Sequence, residues 1–181
     1  MSQKNQRRAA SKAKTNTMTV QNRFMALLQA GTEALQRGRI EDAIRRLDLA
    51  HQLQPDNPDA AHNLSSAYIL RGRFSKALPL LQKLVANHPD NANFWLNLGA
   101  AHLGNPVLAT DEQQQQAIAA FQHALTLNPA IPNAAYNIGL IYRDREEKEQ
   151  AIYWFQKAIQ ANPTDPHAYN ILQKLQQDEE E

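Results

Sequence analysis

The sequence predicts an all-α fold, an α-solenoid of four helix–turn–helix units closed by a C-terminal capping helix. Two series of residues carry that reading. Pro55, Pro89, Pro129 and Pro163 follow one another at 34, 40 and 34 residues, and Ala43, Ala77, Ala117 and Ala151 show the same spacings. Two independent series reporting one period mark an internal repeat, with six extra residues in the third unit. A third observation sets the element type. In the second unit, Ala61, Leu64, Ser65 and Tyr68 lie on one helical stripe, and Ala77, Leu81 and Leu84 lie on another. That three-to-four-residue spacing belongs to amphipathic helices.

The units fall at about 24–57, 58–91, 92–131 and 132–165, with the cap at 166–177. Within the second, Arg71-Gly72-Arg73 separates a helix over 58–70 from one over 74–87. Asn57-Pro58 supplies a capping residue and a proline for the first turn, and Asn91-Ala92 and Asp165-Pro166 are similar. Ile131-Pro132 lacks the cap. In the third unit the insertion near 104–113 reads as a loop over Gly104–Ala109, followed by a capping box at Thr110–Gln113 and one extended helix over 111–127. The insertion reads as a tolerated lengthening of a surface loop or, alternatively, as a contact with another molecule through the apolar Val107 and Leu108. Trp95 and His102 are expected in the core, whereas periodicity does not place Trp154.

Charge is unevenly distributed. The formal net charge is +1, but Lys4, Arg7, Arg8, Lys12, Lys14 and Arg23 precede any acidic residue, and Asp178–Glu181 is wholly acidic. We expect a disordered basic arm over residues 1–21 and an acidic tail over 178–181. The arm has no apolar run of the kind a secretory leader carries, and no window approaches the ~20 apolar residues of a membrane span. Without cysteine there is no disulfide, no thiol catalysis and no cysteine-held metal. A soluble cytoplasmic protein is the expectation.

Catalytic patterns are missing. The six histidines are scattered and form no H-E-x-x-H pair, and there is no phosphate-cradling G-x-x-x-x-G-K stretch. Neither an enzyme nor a cofactor or metal site is expected.

The third unit carries Trp95, Leu98, Gly99, Ala117, Phe121, Ala124 and Pro129. The fourth carries Ile138, Gly139, Tyr142, Ala151, Phe155, Ala158 and Pro163. The second has Leu64, Ser65, Tyr68, Gly72, Ala77 and Pro89, and the first has Gly31, Gly38, Ala43, Ala50 and Pro55. This pattern resembles the tetratricopeptide repeat, a 34-residue helix–turn–helix. The resemblance covers about residues 22–163 and implies a right-handed superhelical array with the first helices on its concave side. Gly31, Ser65, Gly99 and Gly139 then stand where paired helices approach closely.

One feature is not explained by helix formation. Asn63, Asn97 and Asn137 each lie eight residues after a repeat-ending proline, and Asn170 lies seven after Pro163. Asparagine is a mediocre helix former, and these positions lie off the core stripe. A carboxamide can donate to and accept from an extended peptide backbone whatever its side chains. The row resembles the asparagine ladders of superhelical tetratricopeptide arrays. That resemblance implies a peptide-binding groove of Asn63, Asn97 and Asn137, joined by Asn170, with Gln29 substituting in the first unit. His62, Leu96, Tyr136 and Leu140 would add side-chain preference, and Asn93 and Asn133 share the face. Alanine at Asn63, Asn97 and Asn137 is expected to keep the fold and add a few tenths of a kcal/mol per site, through about that difference in helix propensity.

The groove of units one to three, with Met25, Leu28, Thr32, His62 and Ser66, has no lysine or arginine to grip a C-terminal carboxylate. The expected activity is therefore a non-catalytic scaffold binding an extended peptide of a protein partner. Self-association is compatible with it. The alternative is nucleic-acid or acidic-partner association through the basic arm, by salt-dependent phosphate contacts. No aromatic residue interleaves with those charges before Phe24, which argues against nucleic acid.

Overall fold

The computed structural model describes residues 3–177, with side chains from Thr19 onward. Its helices run in the order α1 (Gln3–Gln36), α2 (Ile40–Leu53), α3 (Pro58–Leu70), α4 (Phe74–Asn87) and α5 (Ala92–Leu103). A single 3-10 turn (Pro106–Leu108) follows, and then α6 (Asp111–Leu127), α7 (Ala134–Asp144), α8 (Lys148–Ala161) and α9 (Pro166–Gln177). There is no strand among the described residues. The chain divides into two compact units, Met1–Arg71 and Gly72–Glu181.

In the first unit α1 packs on α2 and both meet α3. Phe24, Ala50 and Ala60 are buried together, with Leu27, Leu28 and Leu53 against them. A Cβ at Gly31 would stand 2.6 Å from Leu47 Cγ, so the helices can close only because that Cβ is missing. Gly38 makes the α1–α2 turn at φ 69°, a left-handed conformation in which L side chains are strained. Arg71, after α3, pairs with Glu41 in the first turn of α2.

The backbone of α1 reaches back to Gln3, across the segment for which the sequence suggested a disordered arm. Residues 3–20 contain neither glycine nor proline and are rich in alanine, glutamine, lysine and arginine. All four are good helix formers, and propagation from an existing helix is far easier than nucleation. The acidic tail lies outside the described residues.

In the second unit each helix packs on the next in chain order from α4 to α9. One core gathers Leu103, Ile118, Phe121, Ile131, Ile138 and Ile141, and another gathers Ala135, Ala151, Phe155 and Ala168. Gly99 again makes room, since a Cβ there would lie 2.6 Å from the fully buried ring of Phe121. The Thr110 capping box forms as its sequence suggests: the Gln113 amide N–H donates to Thr110 Oγ1 at 3.3 Å, and Gln113 Oε1 accepts from the Thr110 N–H at 2.9 Å.

The chain at Ile131-Pro132 behaves differently from the other repeat starts. The helix begins at Ala134, and Asn133 precedes it in the left-handed region at φ 68° with no side-chain cap bond. Ile131 is 2% exposed and sits in the core beside Phe121, so the turn is anchored by apolar burial. Trp95, expected in the core, is half-buried. Its ring lies 4.1 Å from that of His123, and its indole N–H donates to the Pro89 carbonyl at 2.8 Å. His102 is half-buried, and desolvation holds its imidazole below the usual range, partly offset by its hydrogen bond to Gln116.

Glu146 occupies the turn between α7 and α8 at φ 61°, the counterpart of the turn glycines Gly38 and Gly72. A non-glycine residue pays a steric penalty there. Glu146→Gly is therefore expected to raise stability by about 0.5–1 kcal/mol, after allowing for glycine's greater freedom in the unfolded chain. Urea unfolding followed by circular dichroism measures it, and an unchanged or lower midpoint would refute the strain.

Candidate functional site

Gly31, Ser65, Gly99 and Gly139 are all buried, and each stands two residues after an amide side chain: Gln29, Asn63, Asn97 and Asn137. Two residues turn a helix through about 200°. In the second unit, Gly99 faces Phe121 of α6 and Gly139 faces Phe155 of α8. Asn97 and Asn137 therefore project from the far sides of α5 and α7, away from the second helix of their own hairpins. Both are half-buried. The residues that make close packing possible thus set the register of the amides.

The row differs in detail from unit to unit. Gln29 is exposed and its amide donates to Glu33 at 3.1 Å along its own helix. The Asn63 Nδ2 donates to Thr32 Oγ1 at 2.9 Å, and the Thr32 hydroxyl donates to the Leu28 carbonyl at 2.8 Å. Asn63 thereby ties α3 to α1, a structural duty that periodicity did not reveal. Asn137 accepts and donates no side-chain hydrogen bond within the described residues, while its backbone N–H donates to the Asn133 carbonyl at 2.9 Å.

Asn170 falls out of register. Buried Ala60 and Ala134 each precede a row asparagine by three residues, and their counterpart in the cap is buried Ala168. Three residues on from it is Ile171, which packs against the Phe155 core, whereas Asn170 is exposed. Asn93 and Asn133 are exposed as well, and the Asn93 amide N–H is capped by Asn91 Oδ1 at 3.0 Å.

Leu96 leans on the Phe121 core and Leu140 on the Phe155 core, and Tyr136 meets Phe155 edge to face at 5.6 Å. Arg143 spends its charge on Asp144, at 2.6 Å. In the first unit, burial pushes the His62 imidazole below its usual range, and the nearby Asp59 carboxylate offsets part of that. Among the described residues no three histidine, aspartate or glutamate side chains are placed to hold a metal ion, and no helix is long and apolar enough to cross a membrane.

A second feature was not foreseen. Between α6 and α8 lies a cleft of about 750 Å3. Leu125, Ala135, Tyr153, Trp154 and Ala161 form its walls, with Lys157 also lining it. Tyr153 is exposed and packs edge to face on Trp154, and Lys157 lies 5.7 Å from the Tyr153 ring. The adjacent Tyr153-Trp154 pair was the available sequence signal.

Two family models described as Tetratricopeptide repeat match the chain, at residues 34–101 and 107–166. The chain belongs to the tetratricopeptide-repeat family. It is similar to the Hsp70-Hsp90 organizing protein of Triticum aestivum, 36% identical over 100 residues that make up 55% of this chain and 16% of that protein. It is also similar to the peroxisomal targeting signal receptor of Eremothecium gossypii, 28% identical over 94 residues, 52% of this chain and 16% of the receptor. The matches thus span about a sixth of the length of these relatives. Among solved structures, MamA aligns over 82% of this chain and 84% of its own, with a TM-score of 0.68 and 28% identity. The pilF protein of Pseudomonas aeruginosa aligns over 90% and 71%, with a TM-score of 0.73 and 24% identity, a likeness of fold alone.

Two expectations follow. Asn63→Ala loses a bond worth about 1 kcal/mol and regains about half of it in helix propensity. Net destabilisation of about 0.5 kcal/mol is expected, whereas Asn137→Ala should be neutral or gain a few tenths of a kcal/mol. Urea midpoints of the two variants measure the contrast, and equal effects would remove the structural distinction. Second, because burial disfavours the His62 imidazolium in the folded state, the unfolded chain binds that proton more readily. Stability is then complete above imidazole's ordinary value of about 6.5 and declines as pH falls below it. His62→Gln should flatten that decline in thermal melts at pH 7.5 and 5.5, values about one unit either side of 6.5.

Proposed function

We propose that this chain is a non-catalytic scaffold that holds an extended peptide segment of a protein partner along its first helices. The observation that carries the reading is the fixed offset between the amides and the small packing residues. It repeats a donor–acceptor group on a surface the hairpins leave uncovered. Asn97 and Asn137 would bond the peptide backbone in the second unit, and Asn63 offers the equivalent group in the first, with its carbonyl oxygen available once Nδ2 is committed to Thr32. Leu96, Tyr136 and Leu140 would select apolar side chains between those bonds, and His62 would act similarly beside Asn63. Asn93, Asn133 and Asn170 fall to the edge of this reading, being exposed and, for Asn170, out of register.

Membership of the tetratricopeptide-repeat family supports a scaffold role. One relative is named as an organizing protein for Hsp70 and Hsp90, and another as a receptor for a targeting signal. A chain without cysteine suits a cytoplasmic setting. The pairing of Arg143 with Asp144 favours a near-neutral peptide.

The test uses peptides selected by display against the full-length chain. Asn97→Ala/Asn137→Ala should weaken a selected peptide by about tenfold or more, as loss of two backbone-directed amides would. N-methylation of the facing peptide bonds should cost a similar factor in the parent protein and little in the variant. Affinity insensitive to both changes would sink the proposal.

A further inference from the structure

The insertion in the third unit is an ordered knob. The Val107 N–H donates to Asn105 Oδ1 at 3.1 Å and the Leu108 N–H to the Asn105 carbonyl at 3.0 Å. Upstream, Gly104 turns at φ 59° against Phe74, and downstream the Thr110 capping box starts α6. Between these two anchors Val107 is 89% exposed and Leu108 76%. A loop tolerated only as a spacer has no need to hold two bulky apolar side chains outward on a pinned backbone.

The same helix leads from the knob to the cleft between α6 and α8. We propose that the two features mate between copies: Val107 and Leu108 of one molecule enter the Leu125–Tyr153–Trp154 cleft of a second. Charge matches this pairing. Asp111 and Glu112 stand exposed directly after the knob, and no lysine or arginine occurs from Gly104 to Gln116. Arg145 reaches the Asp111 carbonyl at 3.4 Å, but its own charge is faced by Glu147 at 3.8 Å. Among the described residues Lys157 is the one charged side chain lining the cleft, so the knob's carboxylates meet a cation there.

Geometry makes the contact intermolecular. From Asp111, beside the knob, to Gln122, on the cleft wall, α6 advances eleven residues, or about 16 Å. A straight helix keeps those ends apart within one molecule. Each copy carries one knob and one cleft, so the association is head to tail and propagates or closes into a ring. It uses the second helices, and is independent of peptide binding at the asparagine row.

Sedimentation velocity of the full chain over a concentration series tests it. The expected result is mass rising with concentration, and weaker association by ~10-fold or more in Val107→Ser/Leu108→Ser and in Lys157→Glu. All these positions are on the surface, and circular dichroism should show unchanged folding. Mixing the two variants should restore a complex that stops at two copies, because one intact knob then meets one intact cleft. Asp111→Lys/Glu112→Lys combined with Lys157→Glu should recover association by charge reversal. A chain monomeric at every soluble concentration, association unaffected by either variant, or a mixture that fails to pair would each overturn the proposal.

Discussion

Close approach of paired helices is the constraint on which the rest depends. Gly31 against Leu47 and Gly99 against Phe121 each bring a bare Cα where a Cβ would collide with a buried side chain. Gly139 against Phe155 is looser, at 3.1 Å for the added Cβ. Since protein interiors are packed as tightly as organic crystals, such seats fix both the spacing of a hairpin and the rotation of its helices. The rotation matters most for function. Once Gly99 and Gly139 must face inward, the residues two places earlier must face away, and those are the asparagines.

Most of the framework was legible because it repeats. The 34-residue period, the small packing positions and the capping box at Thr110 are local or periodic signals. What escaped was long-range or depended on handedness. The bond from Asn63 to Thr32 spans 31 residues and joins different helices, so nothing in either helix alone announces it. Glu146 occupies a turn that any residue can fill at some steric penalty, and the sequence shows a break there without showing the sign of φ. The start at Asn133 hangs on burial of Ile131, which is a tertiary fact.

The candidate site was legible to a similar degree. Counting from Pro163 leaves Asn170 one residue short of the row, and burial of Ala168 gives the vacant place to Ile171. An aromatic pair such as Tyr153-Trp154 suggests a surface, but only the packing of α8 directs both rings toward α6. Trp95 shows the converse. It holds the repeat's large apolar position yet keeps its indole N–H on the Pro89 carbonyl, so a partly exposed place suits it better than a deep one.

Helices that touch mainly their neighbours in sequence form something close to a one-dimensional chain of linked elements. The last helix of the second unit, α9, buries Ala168 alone and leaves the rest of its length partly or wholly open to solvent. Its amides should exchange with deuterium through local fraying, well before the hairpins anchored on Phe121 and Phe155 open. The contact of α8 with α9 is therefore a thermodynamic seam, at which the last described helix can come away while the hairpins before it stay folded.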